Sequence, residues 1–136
     1  YSQWDESAYN QYLQRFSLPD KKEIKDFSRG MKMKLSLAIA LSHGAQLLIL
    51  DEPTAGLDPK ERVRLRELLA GMAQDRIILV ATHVVSDVES VATKVILLRA
   101  GKIVDAAPVP DLIAVHAPSG GLEDVYLNVF GEGDGK

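Results

Sequence analysis

The sequence predicts an α/β domain built on a parallel sheet, and three observations support that prediction. The run Leu47–Leu50 is short and wholly apolar, as in a strand that is covered on both faces. A second apolar run, Ile77–Ala81, follows a segment with helical periodicity, and this strand–helix–strand order favours parallel pairing. Two carboxylates, Asp51 and Glu52, stand where the first strand ends, which is the edge where open α/β sheets bind ligands.

Length and composition allow one globular domain and exclude several classes of protein. The chain has 136 residues, of which 46% are hydrophobic and 26% charged, as in an ordinary soluble protein. A net charge of −3 gives no general case for nucleic acid or an acidic membrane surface as a ligand. The chain has no cysteine, which excludes disulfides and thiolate metal sites. No apolar run reaches the roughly 18 residues of a spanning helix, and no signal peptide is visible, so we expect a cytosolic protein.

The other elements follow from periodicity and from capping residues. An amphipathic helix is predicted over 5–16, and Ser28 suits the N-cap of a second helix that ends near Ser42. Asp58 and Pro59 begin a third helix with a solvated, charged face. Beyond the second strand we expect a short helix over 84–92, a hairpin of strands at 94–99 and 103–104, a small helix to about 115 and a final helix over 122–130.

The two adjacent acids suggest a hydrolytic site. Carboxylates at the end of a buried strand are costly unless they face a ligand or a partner. Asp51 would help to hold a hard cation such as Mg²⁺, usually through water, and Glu52 would orient or deprotonate an attacking water. A turn in which both acids merely cap the next element explains an isolated pattern of this kind equally well. Parallel pairing would place His83 on the same edge, which makes it a candidate although a lone His is usually a packing residue.

The start of the second helix is another candidate site. Gly30 at the second helical position costs up to about 1 kcal/mol relative to Ala, which makes sense if another group must approach the backbone there. A helix N-terminus with free N–H groups, the Ser28 hydroxyl and Arg29 is suited to an anion. Taken alone this pattern is a weak signal.

Taken together, these residues resemble the carboxyl-terminal half of the ATP-binding subunit of an ABC transporter. Leu47–Glu52 is similar to the Walker B strand with its catalytic Glu, and Ala55–Asp58 is similar to the D-loop. Thr82-His83 resembles the switch His. The segment Phe27-Ser28-Arg29-Gly30-Met31 stands at the signature position, and its third and fifth residues depart from the common form Leu-Ser-Gly-Gly-Gln.

The resemblance implies a fragment of the parallel-sheet P-loop NTPase core with part of the helical signature subdomain. Residues 1–44 would belong to that subdomain, 45–116 to the carboxyl-terminal part of the RecA-like core, and 117–136 to a terminal helix and a disordered tail. The Walker A loop is absent, because no Gly-x-x-x-x-Gly-Lys-Ser/Thr occurs. The Q-loop is also expected upstream, because Gln3 lies too close to the signature to be its glutamine. Since the chain also begins with Tyr1, we expect a truncated domain that is inactive alone.

The resemblance also implies ATP and Mg²⁺ as cofactors, with two subunits closing head to tail around the nucleotides. Asp51 would help to hold the metal, Glu52 would act on the attacking water, and His83 would sense the γ-phosphate. The residues expected to face the nucleotide or to couple the two sites are Ser28, Arg29, Gly30 and Asp58.

The implied partners are a second ATP-binding subunit and a separate transmembrane permease, with no nucleic acid. The protein would then lie on the cytoplasmic face of the cell membrane. The hairpin turn at 101–104 and the helix at 122–125 resemble bacterial exporters, particularly drug- or antibiotic-linked ones. Two alternatives stay open: a soluble, non-transport ABC ATPase, and a non-enzymatic module that lends its signature helix to a complete partner.

Overall fold

The computed structural model describes residues 4–18, 25 and 28–131. In chain order its elements are α1 (Glu6–Arg15), α2 (Arg29–Ser42), β1 (Leu47–Asp51), α3 (Pro59–Met72), β2 (Ile77–Ala81), α4 (Ser86–Glu89), β3 (Val95–Arg99), β4 (Lys102–Ala107), α5 (Val109–His116) and α6 (Leu122–Phe130). They fall into two compact units, residues 1–82 and 83–136. None of the described helices is long and apolar enough to cross a membrane. Phe27 of the signature segment and the predicted tail at 132–136 lie outside the described residues.

The helices of the first unit begin where the sequence places capping residues. The side chains of Asp5, Ser28 and Asp58 each accept a hydrogen bond from the backbone N–H three residues further on, at 3.0, 3.2 and 2.8 Å. Gly44 follows α2 with a φ of +72°, a conformation that glycine adopts without strain. The predicted starts of these three helices and the predicted ends of the first two are therefore confirmed.

The parallel pairing of β1 and β2 is also confirmed, with Leu47 opposite Ile77. Only one face of this two-stranded sheet is covered, however. Leu48 is 5% exposed on the covered face, whereas Ile49 and Ile77 are 68% and 69% exposed on the other. The prediction that β1 is covered on both faces is wrong for this structure. An all-apolar strand has two faces suited to burial, but the described residues pack against only one of them.

The core of the first unit lies between its three helices and the covered face of the sheet. Burial of a large apolar side chain contributes about 1.5–3 kcal/mol to the stability of the fold. Helices α2 and α3 each bury three apolar side chains and are therefore firmly held. The side chains that α2 and α3 contribute, each at most 8% exposed, are Leu37, Ala38, Leu41, Leu65, Leu69 and Met72.

The second unit combines a β-hairpin with short helices. β3 and β4 pair antiparallel with an irregularity between Leu97 and Leu98, and β4 extends further than predicted. Leu112 of α5 and Val125 of α6 are fully buried in its core. Helix α4 has only four residues, fewer than the predicted 84–92. The valines of that segment explain the difference, because β-branched residues lower helix propensity. The three-part division at 44 and 116 stays a prediction.

A hydrogen-bonded pair in the second unit joins His116 to Asp105. Nε2 of His116 lies 2.8 Å from Oδ2 of Asp105. The N–H of Ala106 donates to the other oxygen of the same carboxylate at 2.8 Å. The bond with His116, helped by the Ala106 N–H, holds the pKa of Asp105 below its ordinary value of 3.8. The sequence assigns no role to His116, because a contact across eleven residues leaves no local pattern.

The lowered pKa predicts how Asp105 contributes to stability. A carboxyl whose pKa is depressed in the folded state stabilises the fold above its unfolded pKa, and the contribution is lost as the pH falls through the folded pKa. We expect Asp105→Asn to lower the free energy of unfolding at about pH 5. Its effect should shrink below pH 3.8, where the wild-type carboxyl begins to take up a proton.

Urea denaturation of both proteins across this pH range measures the difference. Glu67→Gln, at an exposed position of α3, is the control and should show a much smaller pH-dependent difference. A destabilisation by Asp105→Asn that stays constant down to pH values well below 3.8 would contradict the prediction.

Candidate functional site

Asp51 and Glu52 stand together at the carboxyl end of β1. Asp51 is the last residue of the strand, and it is exposed on the same face as Ile49. Glu52 leaves the strand with a φ of +47°, in the left-handed region that residues other than glycine seldom occupy. Its backbone N–H donates to the carbonyl of Ala81 at 2.8 Å, which extends the strand pairing by one residue. The sheet therefore holds Glu52 in a conformation that costs on the order of 1 kcal/mol.

The hydroxyl of Thr82 fixes the Glu52 side chain. Thr82 Oγ1 donates to Oε2 of Glu52 at 3.0 Å, across thirty residues of sequence, and both side chains are half-buried. The parallel register explains the contact, because Asp51 pairs with Ala81 and the next residues of both strands therefore come side by side. Sequence reasoning noted Thr82 only as the neighbour of His83. The signal that could have found it is a hydroxyl in register with the acid at the ends of parallel strands.

Residues 52–57, named here loop 52–57, form two successive turns. The N–H of Ala55 donates to the carbonyl of Glu52, and the N–H of Leu57 donates to the carbonyl of Thr54, both at 3.1 Å. Thr54 is 5% exposed, and Gly56 has a φ of +78°. The loop is therefore compact. One left-handed residue, Glu52, begins its first turn, and the other, Gly56, lies within its second turn.

The start of α2 lies against this loop. Gly30 is buried, and a β-carbon added to it would lie 2.9 Å from Cδ2 of Leu57 and 3.2 Å from Oε2 of Glu61. The close approach that the sequence predicts at Gly30 therefore has a partner within the chain. Arg29 lies beside it over Gly56. The structure thus brings Arg29 and Gly30 to the loop that begins with Glu52, while their contact with a nucleotide stays a prediction.

The remaining three site residues have different surroundings. Ser28 caps α2 by accepting a hydrogen bond from the N–H of Met31 at 3.2 Å, and its contact with a nucleotide stays a prediction. Asp58 caps α3 through a hydrogen bond from the N–H of Glu61 to its Oδ1, at 2.8 Å, so it already has a structural role. Its coupling of two sites stays a prediction. His83 directly follows Thr82 in the chain and is the first residue of the second unit. Its predicted role at the γ-phosphate likewise stays a prediction.

The exposed carboxylate of Asp51 is suited to a hard cation. In the described part of the chain, no group of three or more His, Cys, Asp or Glu could hold a metal ion. Mg²⁺ does not need such a group, because it keeps several waters and commonly binds one or two carboxylates together with substrate phosphates. Asp51, with Glu52 beside it, fits a metal that arrives with a nucleotide.

Comparison with known proteins finds similarity to ABC transporter ATP-binding proteins. A family model described as ABC transporter matches residues 2–55. A lantibiotic transport ATP-binding protein of Streptococcus pyogenes is 42% identical over 86 residues, which cover 62% of this chain and 38% of that protein. A bacitracin transport ATP-binding protein of Bacillus licheniformis is 40% identical over 90 residues, which cover 65% of this chain and 29% of that protein. These matches support an ABC ATPase fragment, as the sequence motifs indicate.

The fold of the chain is similar to that of a solved ABC transporter subunit. A solved structure of an ATP binding subunit of an ABC transporter matches with a TM-score of 0.76 at 26% identity, over 92% of this chain and 55% of that chain. The predicted parallel-sheet ATPase fold is therefore confirmed. The match to each of these curated relatives spans less than two fifths of the relative's length.

The hydrogen bond between Thr82 and Glu52 can be tested by its contribution to stability. Thr82→Val removes the hydroxyl and keeps the β-branched shape, so a partly buried carboxylate loses a donor. We expect the free energy of unfolding to fall by about 1–3 kcal/mol. Thr82→Ser keeps the donor and should recover part of that loss. Chemical denaturation of the three proteins decides: a Val variant that is more stable than the Ser variant would contradict the contact.

Proposed function

We propose that this chain is part of the ATP-hydrolysing subunit of an ABC transporter, and that the transporter is a bacterial exporter. The observation that carries the proposal is the pair of carboxylates at the end of β1, with Glu52 held by Thr82. The relatives support the transport role by name, including a Nod factor export ATP-binding protein of Rhizobium meliloti that is 46% identical over 90 residues, or 62% of this chain and 26% of that protein.

The geometry suits phosphoryl transfer to water. That reaction needs positioning and charge neutralisation more than covalent chemistry. A bound Mg²⁺ would neutralise charge on the phosphates, and Asp51 would help to hold it. Glu52, fixed on one oxygen by the Thr82 hydroxyl, would orient the attacking water and accept its proton. His83 would sense the γ-phosphate.

The other proposed contacts cross between two copies of the ATP-binding subunit. Head-to-tail closure would bring the start of α2 to a nucleotide held by the partner subunit, through Ser28 and Gly30. The Arg29 guanidinium would there either add positive charge beside the phosphate or crowd it. Asp58 would couple the two sites. A separate permease would be moved by the closure and reopening of the two subunits, and it would hold the protein at the cytoplasmic face of the membrane. A soluble, non-transport ATPase would instead act with no membrane subunit, and purification with or without a permease distinguishes the two.

The role of Glu52 is tested by Glu52→Gln. The amide keeps the size of the side chain and an oxygen for the Thr82 hydroxyl, but it cannot take a proton at neutral pH. We expect ATP hydrolysis by the protein, assembled with the subunits it acts with, to fall at least about 100-fold while ATP binding persists. Glu67→Gln on the exposed face of α3 is the matched control and should hydrolyse ATP normally. Undiminished hydrolysis by Glu52→Gln would overturn the proposal.

The proposal also predicts how these 136 residues behave by themselves. They include no Gly-x-x-x-x-Gly-Lys-Ser/Thr loop to hold the phosphates, so we expect neither tight MgATP binding nor hydrolysis. Calorimetric titration with ATP and Mg²⁺ into the millimolar range should give no heat of binding. Clear micromolar binding that Asp51→Asn abolishes would show that another part of the chain replaces the missing loop. The expectation that these residues are inactive by themselves would then be wrong.

A further inference from the structure

We propose that Arg29 is a positioning residue, which holds loop 52–57, and with it Glu52, against the start of α2. The catalytic consequence of this inference rests on the function proposed above. The packing contacts behind the inference are independent of that function, because they are contacts between described residues of the first unit.

Arg29 lies across Gly56. A β-carbon added to Gly56 would lie 2.8 Å from Cδ of Arg29 and 3.2 Å from its Nη1. The nearest atom is the δ-methylene of the side-chain stem, and Nε of the guanidinium follows at 3.7 Å. Long basic side chains commonly cover neighbouring surface with their stems, so the stem of Arg29 covers Gly56 although Arg29 is an exposed residue.

A second contact runs in the opposite direction. Leu57, the last residue of the loop, places Cδ2 where a β-carbon on Gly30 would need to be, at 2.9 Å. Each segment thus offers a glycine to a side chain of the other: Arg29 lies on Gly56, and Leu57 lies on Gly30. We name this arrangement the reciprocal glycine contact. A β-carbon at either glycine would force a side chain away.

Helix α2 provides a firm support for this contact. Leu37, Ala38 and Leu41 of the helix are 1%, 0% and 5% exposed, so the helix is anchored in the core. Leu57 also packs against that core. Arg29, in the first turn of α2, therefore packs against the loop from a helix that is anchored in the core.

The loop needs such support because of the residue at its beginning. Glu52 has a φ of +47°, and such a conformation persists only when its surroundings enforce it. The Thr82 hydroxyl holds its side chain, and the turn from Glu52 to the N–H of Ala55 holds its carbonyl. That turn leads directly to Gly56. The packing of Arg29 against Gly56 therefore helps to keep the turn formed, and the formed turn restrains the backbone of Glu52.

A packing role for Arg29 can be separated from a phosphate contact by substitution. A phosphate contact would depend on the charge of the guanidinium. A packing role depends on the length of the stem. Arg29→Met keeps an unbranched apolar stem without the charge, Arg29→Lys keeps the charge, and Arg29→Ala removes both.

Amide hydrogen exchange of the protein tests the packing role directly. Both turn hydrogen bonds of the loop, at the N–H groups of Ala55 and Leu57, are reporters. We expect Arg29→Ala to raise exchange at both amides at least about threefold through easier local opening. Arg29→Met should stay near wild type. Arg64→Ala, which removes the same side chain from an exposed site on α3, is the matched control and should leave both amides unchanged.

A double-mutant cycle with Gly56→Ala sharpens the test. Ala at position 56 would meet both the Arg29 stem and the φ of +78°. If Arg29 lies on Gly56, the rise in exchange that Gly56→Ala causes should be smaller in the Arg29→Ala background, because one of its two causes is already gone. Strictly additive effects, or unchanged exchange in Arg29→Ala, would overturn the inference.

The catalytic consequence has its own measurement. In the assembled protein, Arg29→Ala should lower kcat for ATP several-fold with little change in KM, and Arg29→Met should restore most of kcat. A rise in KM that Lys repairs and Met does not would show a phosphate contact and overturn the positioning role. Failure of the proposed function would be seen separately, as undiminished hydrolysis by Glu52→Gln, and would leave the exchange results standing.

Discussion

The hydrogen bonds between β1 and β2 fix a register on which the whole candidate site depends. With Leu47 opposite Ile77, the first residues beyond the two strands are Glu52 and Thr82, and the hydroxyl can reach the carboxylate. A slip of one residue would turn every side chain of a strand to the opposite face. The parallel pairing thus does more than bury Leu48: it places a donor beside an acid that comes thirty residues earlier in the chain.

The second constraint is the space that two glycines leave open. Gly30 and Gly56 allow the start of α2 and loop 52–57 to approach within the distance that a β-carbon would occupy. A glycine near a helix start suggests an approaching ligand, but here a leucine of the same chain fills that space. The packing of the domain and the proposed binding of a nucleotide therefore place demands on the same residues. A substitution at Gly30 would change the loop that begins with Glu52 as well as any contact with phosphate.

Sequence patterns predicted the local parts of this structure and missed the parts that depend on distant contacts. The caps at Ser28 and Asp58 follow from a side-chain oxygen and the N–H three residues later, and the parallel pairing follows from the length of the crossover. The exposed face of β1 could not be predicted, because apolar residues do not reveal which face finds a partner. The Thr82 donor and the His116–Asp105 pair depend on tertiary register, which one sequence does not show.

The departure from the common signature then has a physical explanation within the chain. Where the common form has a glycine, Arg29 supplies a stem that lies on Gly56, and the neighbouring Gly30 keeps the room that Leu57 needs. A glycine at position 29 would leave Gly56, with its φ of +78°, without that cover. The chain places a long side chain next to a loop that holds a strained residue, and the strain lies at the acid proposed to activate water. The start of α2 thus packs directly against the loop that begins with Glu52, and this packing lies within one chain.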